Sequence, residues 1–180
     1  VRHRVDGLVF DVAGFTNLTR DHLDEFGSME NYLSAKASLF TQKFSRRSVI
    51  NVEDRFGEQM LELARAQSPE QSVSIGHDQD YSFEQTPTGI EITGKQELFL
   101  ARNHGPLMAK NLALAAIMLL EAGYGPKAIA AAALAMETVV PGRLDLVSDS
   151  EPHIYIDYAH TPQAVELAAK ELRDKYPQLL

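Results

Sequence analysis

Leu8-Val9-Phe10-Asp11-Val12-Ala13-Gly14-Phe15 is an apolar octet broken only by Asp11 and Gly14, and the mainly polar segment Thr16-Asn17-Leu18-Thr19-Arg20-Asp21-His22 follows it at once. A short apolar run bounded by polar residues reads as a buried strand. The segment behind it is then a loop at the strand's C-terminal end. In open α/β sheets that edge is where ligands bind.

Working outward, Gly27-Ser28 opens a helix, with Ser28 placed to cap it. Met29, Tyr32, Leu33, Leu39 and Phe40 give that helix an apolar face, and the pattern carries it to about Phe44. Residues 48–52 form a β-branched strand, 53–66 an amphipathic helix closed by Ser68-Pro69, and 73–75 another strand. Strands alternating with helices predict an α/β fold. From Tyr81 the pattern changes. Short alternating pieces at 82–84, 90–93 and 97–100, split by Thr86-Pro87 and Gly94, suggest antiparallel strands.

Two helices follow, 108–121 ending at Gly123 and 126–136 beginning with Pro126. Val139-Val140-Pro141-Gly142-Arg143 reads as a hinge. Beyond it come strands at 144–147 and 153–157, and a helix at 161–175 opening with Pro162. One strand pair and one helix cannot bury a core. The expectation is therefore one domain over 1–143 and the beginning of a second over 144–180.

Composition narrows the function classes. With 17 Lys and Arg against 25 Asp and Glu, the formal net charge is −8. That argues against a broad nucleic-acid surface, which needs clustered cations. It leaves room for a small anionic ligand held by a few placed side chains. No stretch reaches the roughly 18 apolar residues of a membrane span, and Arg2, His3, Arg4 and Asp6 interrupt any secretory signal. There is no Cys, so disulfides and thiolate metal sites are excluded, in keeping with a cytoplasmic protein.

A few residues stand out as chemistry. His22 follows the decisive strand beside Asp21; an exposed loop histidine and a metal ligand with a neighbouring carboxylate both fit. Lys36 sits among small residues on a helix that turns Leu33, Leu39 and Phe40 inward. It is either a snorkelling surface lysine or an amine partly shielded from water and therefore reactive. Asp157 and His160 lie just past a strand, at a position typical of sites. Capping by Thr161 with Pro162 at the first turn explains those two residues, but not Asp157 or His160. No phosphate-binding glycine loop, nucleophile elbow or zinc signature occurs.

Taken together the segments resemble the Mur ligases, and within them the UDP-N-acetylmuramoyl-tripeptide synthetases. Phe15-Thr16-Asn17-Leu18-Thr19-Arg20-Asp21-His22-Leu23-Asp24 is similar to that group's FTNL[ST]RDHLD. Met29-Glu30-Asn31-Tyr32 through Lys36 to Phe40 resembles its ME-x-Y-x-x-AK…LF helix. Asn51-Val52-Glu53-Asp54 resembles its NADD turn, Pro141-Gly142-Arg143-Leu144-Asp145 its PGR[ML]E, and Asp157-Tyr158-Ala159-His160-Thr161-Pro162 its DYAHTP. Order and spacing agree along nearly the whole chain.

The resemblance implies a three-layer central domain of mostly parallel sheet flanked by helices, then the first strands and helix of a Rossmann-like C-terminal domain. It implies ATP and Mg²⁺. By the same resemblance His22 and Lys36 serve the metal, Lys36 after carbamylation by CO₂, which makes it a hard oxygen ligand. Asn111, Arg143 and Asp157 then contact ATP, Arg4 contacts the UDP-sugar, and His160 is a further candidate. The implied substrates are UDP-N-acetylmuramoyl-dipeptide and an amino acid, diaminopimelate or lysine. The implied protein is a cytoplasmic monomer with neither nucleic-acid nor membrane partners. Met108 stands where the family has the first asparagine of FN-V-x-N, and the family's phosphate loop does not occur in the chain. The 180 residues alone are therefore expected to lack ligase activity. The other readings are a non-catalytic binding module with a decayed ATP site, and a sibling ligase of the Mur or folylpolyglutamate type.

Overall fold

The computed structural model describes residues 5–19, 23–101, 105–136 and 140–178. Two compact units emerge, Val1–Leu134 and Ala135–Leu180, so the sequence-read boundary after 143 falls inside the second.

In the first unit β1 (Phe10–Phe15) leads to a short helix α1 (Leu23–Phe26) and then α2 (Met29–Ala37). Ser28 caps α2, its hydroxyl accepting the Asn31 N–H at 3.2 Å. The helix does not continue to Phe44. Residues 38–40 tighten into a 3₁₀ turn, where the Thr41 hydroxyl donates to the Ser38 carbonyl and the Ser45 hydroxyl to that of Leu39. Strand β2 (Ser45–Asn51), helix α3 (Gly57–Gln67) and strand β3 (Ser72–Ile75) follow. Helix α3 starts at Gly57, not Glu53. Asn51 accepts the Glu53 N–H and Asp54 accepts the Phe56 N–H, which holds 51–56 as a turn.

Strands β4 (Tyr81–Thr86), β5 (Gly89–Gly94) and β6 (Leu98–Leu100) complete a six-stranded sheet in sequence order. The first four strands pair in parallel, as the resemblance implies, and the last two antiparallel, as the alternating pattern predicts. A parallel pair normally needs a crossover of a dozen or more residues. Here β3 and β4 are joined by residues 76–80 alone, because their pairing is a single bridge, Ile75 with Tyr81.

Helices α4 (Pro106–Glu121) and α5 (Pro126–Ala135) end the unit. Period-2 alternation divides the sheet between two cores. On β2, Val49 joins Val73, Ile75, Tyr81, Ala113 and Ile117 in a cluster under α4. Its neighbour Ile50 joins Ala13, Phe15, Leu33, Met60 and Leu61 in a cluster under α2 and α3. The result is three layers, helix–sheet–helix. The octet that decides the fold is only partly buried: Ala13 and Phe15 are inside, but β1 lies at the sheet's edge and Leu8 and Val9 are 53% and 52% exposed.

Helix α4 runs against the direction of β2. Near its start Lys110 pairs with Glu53, just past the C-terminal end of β2, at 2.7 Å. At its end Glu121 accepts from Arg47, near the strand's beginning, and from the Tyr81 hydroxyl, each at 3.0 Å. Its N-terminal turns therefore stand at the sheet edge where ligands bind in such folds.

The second unit holds a two-stranded antiparallel ribbon, β7 (Asp145–Ser148) with β8 (Ile154–Ile156), and helix α6 (Pro162–Lys175). Thr161 caps α6 by accepting the Ala164 N–H at 3.3 Å. Among its described residues none is fully buried. No helix among the described residues is long and apolar enough to cross a membrane.

Candidate functional site

Strand β1 delivers its C-terminal end to one wall of a cavity of about 460 Å³, lined by Gly14, Phe15, Thr16 and Asn17 from that strand and its loop. Ala35, Lys36, Ser38, Leu39 and Phe40 supply another wall. Lys36 is half-buried. Its ammonium lies 5.1 Å from the centre of the Tyr32 ring one turn earlier, and Tyr32 in turn stacks on Phe26 at 4.8 Å. The ammonium thus rests against an aromatic shelf, while the Lys36 residue also lines the hollow, with Lys43 as a second cation on the lining.

The loop after β1 is anchored from its neighbour strand. Asn51, 5% exposed at the end of β2, donates its amide to the Thr16 carbonyl at 2.6 Å. The sequence places Asn51 at the end of a strand and in the turn behind it, but does not single it out for this task. His22 and Arg4 lie outside the described residues. Asn111 is exposed in the early turns of α4, on the sheet face opposite α2.

In the second unit three sequence-chosen residues come together. Asp157 accepts two backbone N–H groups, Leu144 at 2.8 Å and Ala159 at 2.7 Å. Leu144 has φ +43, a left-handed conformation unusual for such a side chain. Arg143 is exposed, its guanidinium 5.0 Å from the Tyr158 ring centre. His160 meets the same ring edge-on at 5.0 Å, and its Nδ1 lies 2.9 Å from the Tyr158 carbonyl oxygen. Tyr158, which sequence reading did not single out, is therefore the centre of the group.

A fixed, exposed guanidinium suits a phosphate, and Asp157 keeps oxygen lone pairs for a hydroxyl donor. Magnesium is a different matter. Among the described residues no group of three His, Asp or Glu side chains gathers that could hold a metal ion.

The family described as Mur ligase middle domain matches residues 1–119. The chain is 38% identical over 188 residues to a UDP-N-acetylmuramyl-tripeptide synthetase of Leifsonia xyli, a match covering 96% of this chain and 36% of that protein. It is 36% identical over 179 residues to the UDP-N-acetylmuramoyl-L-alanyl-D-glutamate--2,6-diaminopimelate ligase of Streptomyces avermitilis, covering 94% and 35%. It thus spans about a third of the length of these curated relatives. A solved diaminopimelate ligase of the same name superposes with a TM-score of 0.70 at 26% identity, over 91% of this chain and 35% of that one. MurF from Acinetobacter baumannii shares the fold, with a TM-score of 0.71 at 22% identity, over 89% and 37%.

Proposed function

The chain belongs to the Mur ligase family, and from that premise we propose that it is the middle portion, with the start of the C-terminal domain, of a ligase that adds the third amino acid to UDP-N-acetylmuramoyl-L-alanyl-D-glutamate. The substrates are that nucleotide-linked dipeptide, ATP and an amino acid, diaminopimelate or lysine; the setting is the cytoplasm and the protein a monomer. The observation that carries the proposal is that Lys36 lines one cavity with Thr16 and Asn17 at the end of β1. Identity of 38% over nearly the whole chain to a tripeptide synthetase supports it.

In this reading the dipeptide's terminal carboxylate attacks the γ-phosphate of ATP to give an acyl phosphate and ADP, and the incoming amine displaces inorganic phosphate, losing a proton, to form the amide. Arg143 stabilises negative charge on the polyphosphate. Asp157 contacts the nucleotide, with His160 as a further candidate; Asn111 is a separate nucleotide contact, and Arg4 contacts the UDP-sugar. Lys36, carbamylated, and His22 would hold Mg²⁺, which supplies charge neutralisation at the phosphates when bound. What the described residues do without it is shape the hollow, to which Phe15, Leu39 and Phe40 give apolar walls beside Lys36.

A chimera tests this. The corresponding segment of the Leifsonia xyli synthetase is replaced by this chain, and dipeptide-dependent release of phosphate is measured. Activity that survives the exchange and falls at least about a hundredfold on Lys36→Ala or Arg143→Ala, the scale for loss of a transition-state contact, supports the proposal. A folded chimera whose activity is indifferent to both substitutions refutes it.

A further inference from the structure

We propose that Tyr158 is a positioning residue for Arg143, acting on a turn that Asp157 holds in shape. This deepens the reading of Arg143 as a polyphosphate contact and rests on it. An exposed arginine ordinarily samples many rotamers, and a ligand must select one. Here the guanidinium carbon lies 5.0 Å from the Tyr158 ring centre, within the range at which a cation is drawn to an aromatic face. The ring is not independent of the turn. The Tyr158 backbone N–H donates to the Gly142 carbonyl at 2.9 Å, and an Arg143 guanidinium N–H donates to that same carbonyl at 3.2 Å.

The turn itself is strained and pinned. Gly142 has φ +72 and Leu144 φ +43. Such a conformation persists in a leucine only where surrounding structure imposes it. The Leu144 N–H reaches the Asp157 carboxylate at 2.8 Å, while the other carboxylate oxygen takes the Ala159 N–H at 2.7 Å. One aspartate therefore joins the segment that carries Arg143 to the segment that carries Tyr158. The arrangement presents a guanidinium already ordered before any anion arrives. Asp157 thus has a structural task beyond touching a nucleotide.

Tyr158 is 67% exposed, so it has a competing role, stacking directly on a base. Binding of inorganic triphosphate and of ATP to the 180-residue chain, measured side by side by calorimetry, separates the two. Tyr158→Leu is expected to weaken both ligands about two- to fivefold, the worth of an exposed cation–π contact, and Tyr158→Phe to restore both. Weakening of ATP alone overturns positioning in favour of base contact. Unchanged binding of both by Tyr158→Leu, with Arg143→Ala still weaker, overturns it outright. Triphosphate binding that is absent, or indifferent to Arg143→Ala, defeats instead the reading of Arg143 beneath it. A ligand-free readout stands beside these: the Arg143 side-chain proton resonances should be shifted upfield by the ring in the unaltered chain and in Tyr158→Phe, but not in Tyr158→Leu. No such shift in the unaltered chain overturns the proposal by itself.

Discussion

The Asn51 amide donates to the Thr16 carbonyl at 2.6 Å, across 35 residues of sequence, while its side-chain oxygen accepts the Glu53 N–H at 3.2 Å. One buried side chain thus fixes both the loop leaving β1 and the turn leaving β2. Asn51→Ala leaves a carbonyl and an N–H without these partners, a loss of about 1–3 kcal/mol, readable as a lower urea midpoint. Asn51→Asp should be no better, since a carboxylate cannot donate to Thr16. Faster amide exchange at 16–19 would mark the loosened loop.

Tyr81 is wholly buried, and its phenol is pushed well above the ordinary range, by burial first and then by the Glu121 carboxylate to which it donates. The folded chain therefore keeps this proton while the unfolded chain loses it near pH 10. Its contribution is intact below about pH 10 and declines as the solution becomes more alkaline. Ultraviolet titration should show one of the six tyrosines failing to ionise until the chain unfolds. Tyr81→Phe should remove that alkaline loss at a cost near neutrality of about 1 kcal/mol, because Glu121 keeps Arg47.

Asp80 works at the other end of the pH scale. Burial alone would raise its carboxyl, but the Ser74 N–H and hydroxyl that it accepts, aided by Lys95 and Arg65, hold it below the usual range. A depressed carboxyl stabilises the fold above about pH 4, the unfolded value, and this is lost as pH falls through the folded one. Denaturant midpoints followed from pH 6 to pH 2.5 should fall more steeply for the unaltered chain than for Asp80→Asn; parallel curves would contradict this.

Two glycines should differ sharply when replaced by alanine. A Cβ on Gly57 would stand 2.3 Å from the Asn51 carbonyl oxygen and 2.5 Å from the Val52 Cα, both backbone. At Gly14 the nearest atom is the Met118 sulfur, at 2.5 Å, the end of a chain that can move aside. Gly57→Ala is expected to destabilise by about 3 kcal/mol or more and Gly14→Ala by about 1 kcal/mol, compared in thermal melts.

What was legible in the sequence was what local rules decide. Strand–helix alternation pointed to an α/β fold, and the hydroxyls of Ser28 and Thr161 marked the starts of α2 and α6 because a cap needs only neighbours within one turn. The ends of elements were less legible. Leu39 and Phe40 continue an apolar pattern, yet side chains of Thr41 and Ser45 take carbonyls that a longer helix would have used. Burial of the octet was overread, since composition does not distinguish an inner strand from an edge one. At the site, Lys36, Arg143, Asp157 and His160 were nameable as residues. That a tyrosine lies under the arginine depends on how two segments fold together, and no spacing records it. His22 and Arg4 fall outside the described residues and stand as proposals.

The exposed margin of β1 has a practical bearing. Peptide groups at the rim of a sheet are open to any extended segment that drifts against them, and Leu8, Val9 and Phe10 make that seam oily as well. Concentrated samples of this chain are therefore expected to associate rim to rim, which light scattering followed against concentration measures.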